Sequence, residues 1–271
     1  MTEKFSLKKK FSLITGASGL LGYEHSHALL EIQSDLILTD VDMNQLTINK
    51  KKLQKKFPNS KILIFKMDVT NERSIKSVIT KIKKDRINLH VLINNAAIDS
   101  KVLKSNKMTN TGKLENLSTE IWNKHLSVGL TGYLNCTKLF GSILKKSYNH
   151  RGGVILNIAS DLSVIAPNHS IYPKGIYKPV TYSVIKHGVI GLTKYVSTYW
   201  NKEKIRCNSL SPGPIFNNQS KTFIKKLSKQ IPMGRLANKS EYRQAIKFLC
   251  SDASSYMTGQ NVVIDGGRSV W

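Results

Sequence analysis

Short apolar runs separated by longer amphipathic stretches set the pattern of this chain. Phe11–Ile14, Leu36–Thr39, Ile62–Phe65, Val91–Ile93, Val154–Ile158, Arg206–Leu210 and Val262–Ile264 each read as a short buried strand. The segments between them run about 20 to 50 residues, long enough for a helix and a crossover. Strands apolar on both faces that alternate with helices predict an α/β fold. The expected form is a doubly wound, mostly parallel seven-stranded sheet with helices on both faces. No repeat, low-complexity linker or compositional break marks a second domain, so residues 1–271 are expected to form one. Two irregular stretches look like insertions: Asp99–Leu117, rich in Lys, Asn, Ser and Thr, and Ala166–Pro179, with three prolines and two tyrosines. Long irregular loops inside a compact α/β domain are usually functional.

Composition narrows the class. With 40% hydrophobic and 22% charged residues in 271, the chain has ordinary globular usage, which excludes a disordered or collagenous protein. The apolar runs fall far short of the ~20 residues that span a bilayer, and no secretion leader is expected. Cys136, Cys207 and Cys250 are far apart and form no CxxC pair, so neither a disulfide framework nor a metal site is expected. A cytoplasmic protein that does not enter membranes fits these features. The charge is the unusual feature, at +25. Yet only seven of the 42 basic residues are Arg, and the lysines lie along the whole chain. Lys, Asn and Ile are all abundant and share A+T-rich codons, so solvated surface is favoured over a nucleic-acid site.

Candidate chemistry begins after the first strand. Gly16, Gly19 and Gly22 stand in the spacing TGxxGxxG, followed by a helix-like stretch from His25 to Ile32. Such a turn lets backbone approach a pyrophosphate, whose charge then sits at the positive end of the helix. A Gly-rich turn alone is weak; between a strand and a helix it points to a dinucleotide. The next strand ends at Asp40, 24 residues after Gly16. An acid there accepts from both ribose hydroxyls of NAD and repels the 2′-phosphate of NADP, and Ala17 and Val41 are not basic. NAD(H) is therefore expected over NADP(H).

Further motifs follow in a fixed order: Asp68-Val69-Thr70, Asn94-Asn95-Ala96-Ala97, Ser160, Tyr182-Ser-Val-Ile-Lys186, Pro212-Gly213, Pro232-Met-Gly-Arg-Leu236, and Gly259-Gln260 through Asp265-Gly266-Gly267. Tyr182 and Lys186 lie on one helical face, and an ammonium beside a phenol favours the phenolate. Tyr182 can then exchange a proton with a substrate oxygen while hydride moves, and Ser160 can hydrogen-bond that oxygen. Ser163 lies close by as a second candidate. The ordered set resembles the short-chain dehydrogenase/reductase superfamily from about Lys8 to Gly267. That resemblance implies an oxidoreductase with Ser160, Tyr182 and Lys186 as catalytic residues. It assigns Ser18, Leu20 and Leu21 of the loop, Asp68, Val69, Asn94 and Ala96 to the cofactor, together with Pro212, Gly213, Ile215 and Asn217. It also has Lys186 contacting the nicotinamide ribose.

Departures from the family accompany these matches. Ser160 and Tyr182 are separated by 22 residues, where the family has about a dozen, and the extra segment holds His169, Tyr172, Lys174, Tyr177 and Lys178. Gly129 stands where many members have a relay Asn, and His125, one turn earlier, reads as an exposed helical residue. The insertion, the YSVIK motif and the TGASGLLG loop resemble a bacterial branch associated with flagellin modification and sialic-acid-like sugar synthesis. Family membership implies a homodimer or homotetramer through helices such as Trp122–Lys146 and Tyr182–Trp200.

The substrate lid is expected near 213–235. Its Lys221, Lys225, Lys226 and Lys229, with Lys174 and Lys178, suggest an anionic or highly hydroxylated substrate, or else simply a wet lysine-rich surface. Three readings stay open: a sugar-directed oxidoreductase, a ketoreductase on 3-oxoacyl thioesters, and a non-catalytic dinucleotide-sensing or nucleic-acid-binding protein.

Overall fold

The structure is a computed structural model describing residues 3–98, 112–147 and 152–271. Seven strands form one sheet in the order β3-β2-β1-β4-β5-β6-β7, and every neighbouring pair is parallel. They are β1 Phe11–Thr15, β2 Asp35–Asp40, β3 Ile62–Lys66, β4 Leu89–Asn94, β5 Val154–Ile158, β6 Arg206–Pro212 and β7 Asn261–Ile264. All seven predicted runs are strands, most of them a residue or two longer than the apolar pattern suggests.

Alternation along each strand feeds two cores. Ile14, Val91, Ile93 and Leu156 pack beneath α1 (Leu20–Glu31), α2 (Met43–Lys56) and α8 (Arg243–Cys250). Leu13, Leu89, Leu92 and Ile155 pack beneath α3 (Glu72–Lys84), α5 (Gly132–Leu144) and α6 (Val180–Tyr199). Both faces are thus covered, which is why the strands read as nearly continuous apolar runs. Cys136, Cys207 and Cys250 are buried in these cores. Burial pushes the Cys250 thiol up to about 12, and the other two thiols higher still. Among the described residues no helix is long and apolar enough to cross a membrane.

Two sequence expectations change. Helix α1 begins at Leu20, not His25, because Gly19 takes the N-cap position and the helix starts directly from the glycine turn. The expected single helix Trp122–Lys146 is α4 (Thr119–Leu126), a π-turn at Ser127–Thr131 and then α5. Glycines explain the fit of that turn. A Cβ on Gly129 would lie 2.8 Å from Ile185 Cγ2, and one on Gly132 would lie 2.7 Å from Val69 Cγ2. Positions 99–111 of the first insertion lie outside the described residues.

Because β1 and β4 are neighbours, the strand order reverses between them, and the loops leaving their carboxyl ends diverge to open a crevice. Most of the candidate site residues lie along that edge.

Candidate active site

A cleft of about 1110 Å³ runs along the carboxyl edge of the sheet. Its first end is built from the turn after β1. Gly16 adopts φ +65°, and a Cβ there would lie 2.7 Å from Ala96 Cα. Gly22 lies under the turn, where a Cβ would strike Gly16 O and approach Ala17 Cα to 2.7 Å. Gly22 is therefore a packing glycine, while Gly16, Ser18, Gly19, Leu20 and Leu21 form the wall. No side chain caps the amino end of α1, and no acid stands in its first turn. Its free N–H groups, beside Gly19, Leu20 and Leu21 of the wall, suit a pyrophosphate.

Asp40, at the end of β2, lines the same wall. Its carboxylate accepts from the Ser18 backbone N–H and the Asp42 N–H, each at 3.0 Å. One acid therefore fixes the turn and still offers lone pairs to a ligand. Asp68, Val69 and Ala96 extend the wall, followed by Pro212, Gly213, Ile215 and Asn217. Asn94 does not reach it. Its fully buried side chain donates to Thr137 Oγ1 at 3.0 Å and Asn157 Oδ1 at 2.8 Å, tying β4 to α5 and β5. The wall residue is Asn95, whose amide donates to Thr15 O and Gly16 O, each at 3.0 Å.

The other end gathers the catalytic candidates. Ser160, Tyr182 and Lys186 all line the cleft. Ser163 does not; its hydroxyl is turned inward to Ser160 O and to Ser211 Oγ, 2.9 Å away. Ser160 stays just past β5, with Oγ accepting from Leu162 N–H at 3.2 Å and donating to Asp161 Oδ1 at 2.8 Å. Lys186 Nζ donates to Ile158 O at 2.7 Å and lies 5.8 Å from the centre of the Tyr182 ring. Tyr133 also reaches Ile158 O, at 3.2 Å, and burial holds its phenol protonated by pushing its pKa far up.

The family model described as Enoyl-(Acyl carrier protein) reductase matches residues 16–269. An NADP-dependent mannitol dehydrogenase of Alternaria alternata is 31% identical over 100% of this chain and 96% of its own. The Post-translational flagellin modification protein A of Campylobacter coli is 27% identical over 96% of this chain and 98% of its own. A short-chain dehydrogenase from Leptospira borgpetersenii, solved with bound NAD+, superposes with a TM-score of 0.83. It is 28% identical and covers 99% of this chain and 96% of its own. The chain is a short-chain dehydrogenase/reductase.

In this dehydrogenase the second insertion forms part of the cleft. Ile171 and Tyr172 pack on Phe223 and Leu227, the latter two from α7 (Lys221–Ser228), and the Tyr172 and Phe223 rings lie 5.4 Å apart. Lys226 Nζ donates to Ser170 O at 3.3 Å, so loop and lid touch. Lys174, Lys221, Lys225, Lys226 and Lys229 are exposed and absent from the wall, whereas Lys178 is part of it. The anion-binding expectation therefore narrows to Lys178. His125 also departs from expectation. It is half-buried, its Nδ1 lies 2.8 Å from Thr181 Oγ1, and burial lowers its pKa.

Three contributors escaped the sequence reading. Asn49 of α2 donates to Ala17 O and Ser18 O, each at 3.1 Å, clamping the glycine turn. Nothing local in a polar helix marks it out. Asp161 is the second, and a carboxylate directly after a buried strand was a usable signal. Arg268, 107 residues on, is the third; its Nη1 meets Asp161 Oδ2 at 2.5 Å, both side chains buried. The Asp265-Gly266-Gly267 turn delivers it. Asp265 accepts from the N–H groups of Gly267 and Ser269 while both glycines take positive φ.

Proposed function

We propose that this dehydrogenase prefers NAD(H) over NADP(H) and acts on a compact polyhydroxylated substrate of the sugar, sugar phosphate or nucleotide-sugar class. Asp40 carries the cofactor reading. It is the acid on the wall beside the glycine turn, and the wall's cations, Lys124, Lys178, Lys186 and Arg268, all come from other segments. A 2′-phosphate would meet a carboxylate without a compensating cation. The substrate reading is supported by the converging polar groups of Ser160, Tyr177, Lys178, Tyr182 and Gln219, and by the contact between loop and lid. That contact disfavours a long pantetheine arm, the requirement of a 3-oxoacyl thioester reductase. A homodimer or homotetramer belongs to the same reading, supported by exposed Tyr195 and Tyr199 on α6 and Leu134 on α5.

Bound nicotinamide would supply the hydride acceptor or donor. Tyr182 would hold or release the proton at the substrate oxygen, favoured as phenolate by Lys186. Ser160 commits its proton to Asp161 and one lone pair to Leu162 N–H, which leaves a lone pair to accept from a second hydroxyl of the substrate, one whose proton Tyr182 does not take.

Nicotinamide absorbance, followed with NAD(H) or NADP(H) against polyols, sugar phosphates, nucleotide sugars and 3-oxoacyl thioesters, tests the reading. Turnover is expected with NAD(H) and a sugar-type substrate. Tyr182→Phe should lose about 10²–10⁴-fold in kcat while still binding cofactor. Preference for NADP(H), or for the thioester, would reject the corresponding half.

A further inference from the structure

The segment that lengthens the Ser160–Tyr182 interval ends in Lys178, and this ammonium reaches the catalytic tyrosine. Lys178 Nζ lies 3.6 Å from the centre of the Tyr182 ring, closer than Lys186 Nζ at 5.8 Å. The side chain is half-buried and forms part of the cleft wall. The residue before it is packed on two sides. The Tyr177 ring stands 5.4 Å from that of His169, and a Cβ on Gly112 would strike Tyr177 O. Pro179 follows with φ −59° at the N-cap of α6, so little slack separates Lys178 from the helix that carries Tyr182.

We propose that Lys178 is a second cation for Tyr182, a positioning residue that acts through the phenol and favours its ionised form beyond what Lys186 achieves alone. Lys186, which follows Tyr182 on the same helix, gives a hydrogen bond to Ile158 O and lies farther from the ring than Lys178 does. At position 129 Ile185 Cγ2 fills the space that a Cβ would enter. A cation on an aromatic face is held by the ring quadrupole, and a phenolate ring attracts it more strongly than a phenol, so the contact lowers the phenol pKa. Among the described residues, other titratable and charged groups also border this end of the cleft. Tyr133 of α5 stays protonated, Asp161 after β5 is bound to Arg268 of the C-terminal turn, and Lys124 of α4 and Tyr177 of the loop share the wall.

The role of Tyr182 as proton carrier belongs to the proposed function, so the decisive measurement avoids turnover. The full-length protein with saturating NAD+ is titrated by tyrosinate absorbance, and subtracting the Tyr182→Phe curve isolates Tyr182. Lys178→Met should raise its midpoint by about one pH unit, and Lys178→Arg should return it to the wild-type value. Lys178→Gln provides a second neutral variant, and both are checked by thermal unfolding and NAD+ affinity. Midpoints in the neutral variants equal to wild type would overturn the proposal. So would an unchanged midpoint with a KM raised only for anionic substrates, which would make Lys178 a substrate-binding residue. A silent substrate panel would count against the proposed function alone, because the titration reads Tyr182 directly.

Discussion

At the β1–β3 end of the cleft, the Gly16–Gly22 turn is held by backbone fit and by short neutral amides, those of Asn49 and Asn95. At the β5–β7 end, Ser160 is held through Asp161 to Arg268, and the loop 166–179 is held by an apolar cluster on α7. In the proposed function the first arrangement would recognise a constant ligand part through N–H groups that any correctly turned backbone supplies. The second depends on specific side chains brought from segments 107 residues apart. Substitution should therefore act differently at the two ends, through conformation at one and through uncompensated charge at the other.

The largest effect is expected at the charged end. Arg268→Met would leave the Asp161 carboxylate buried and unpaired, with an expected loss of about 3–5 kcal/mol in denaturant unfolding. Pairing it with Asp161→Leu should recover much of that loss, since an apolar pair needs no compensation. If the double variant is as unstable as the single one, the ion pair is not what holds this end.

At the neutral end, Gly16→Val should act through conformation. A β-branched residue at φ +65° costs about 1–3 kcal/mol, and its Cβ would press on Ala96 Cα. The turn must shift, and affinity for NAD(H) should fall about a hundredfold, read by calorimetry, while Tyr182 and Ser160 keep their places. Equal affinity in the variant would mean that backbone fit at Gly16 is dispensable.

Acid should act on the neutral end through a buried histidine. Burial lowers His25, on α1 beneath the turn, to about 3, so the folded protein keeps it neutral where the unfolded chain binds a proton. The sign follows: this stability is fully present above pH 6.5 and is lost as pH falls from about 6.5 toward 3. The slope is about 1.4 kcal/mol per pH unit. His90, near the base of β4, is likewise lowered to about 3 by burial and adds a similar slope. His25→Gln should remove one such slope from urea unfolding measured across that range, while the His90 slope persists.

The contrast also explains what could be read from the chain. The strands were legible because burial on both faces leaves apolar runs, and the turn was legible because glycine geometry is local. Ser160 could be chosen over Ser163 by its place after a buried strand, and it is Ser160 that lines the cleft. Asn94 was misplaced because either of two adjacent amides fits the motif, and only the strand's facing sends Asn95 to the wall and Asn94 inward. The π-turn, the Asp161–Arg268 pair and the contact of Lys178 with Tyr182 are tertiary. Each arises from elements whose meeting no local period encodes.

The smallest expected effect probes the neutral end at its most indirect point. Asn49 does not belong to the cleft wall; it acts on the turn through Ala17 O and Ser18 O. Asn49→Ala removes two neutral hydrogen bonds from a buried side chain, together with the one its Oδ1 accepts from Gln45, and about 1 kcal/mol of stability should be lost. The turn becomes looser without being blocked, so the KM for NAD(H) should rise about three- to tenfold with kcat little changed. That split would show that α2 serves the cofactor by holding the backbone Asp40 also holds. A fall in kcat instead would couple the amide clamp to the catalytic end and dissolve the distinction between the two halves of the cleft.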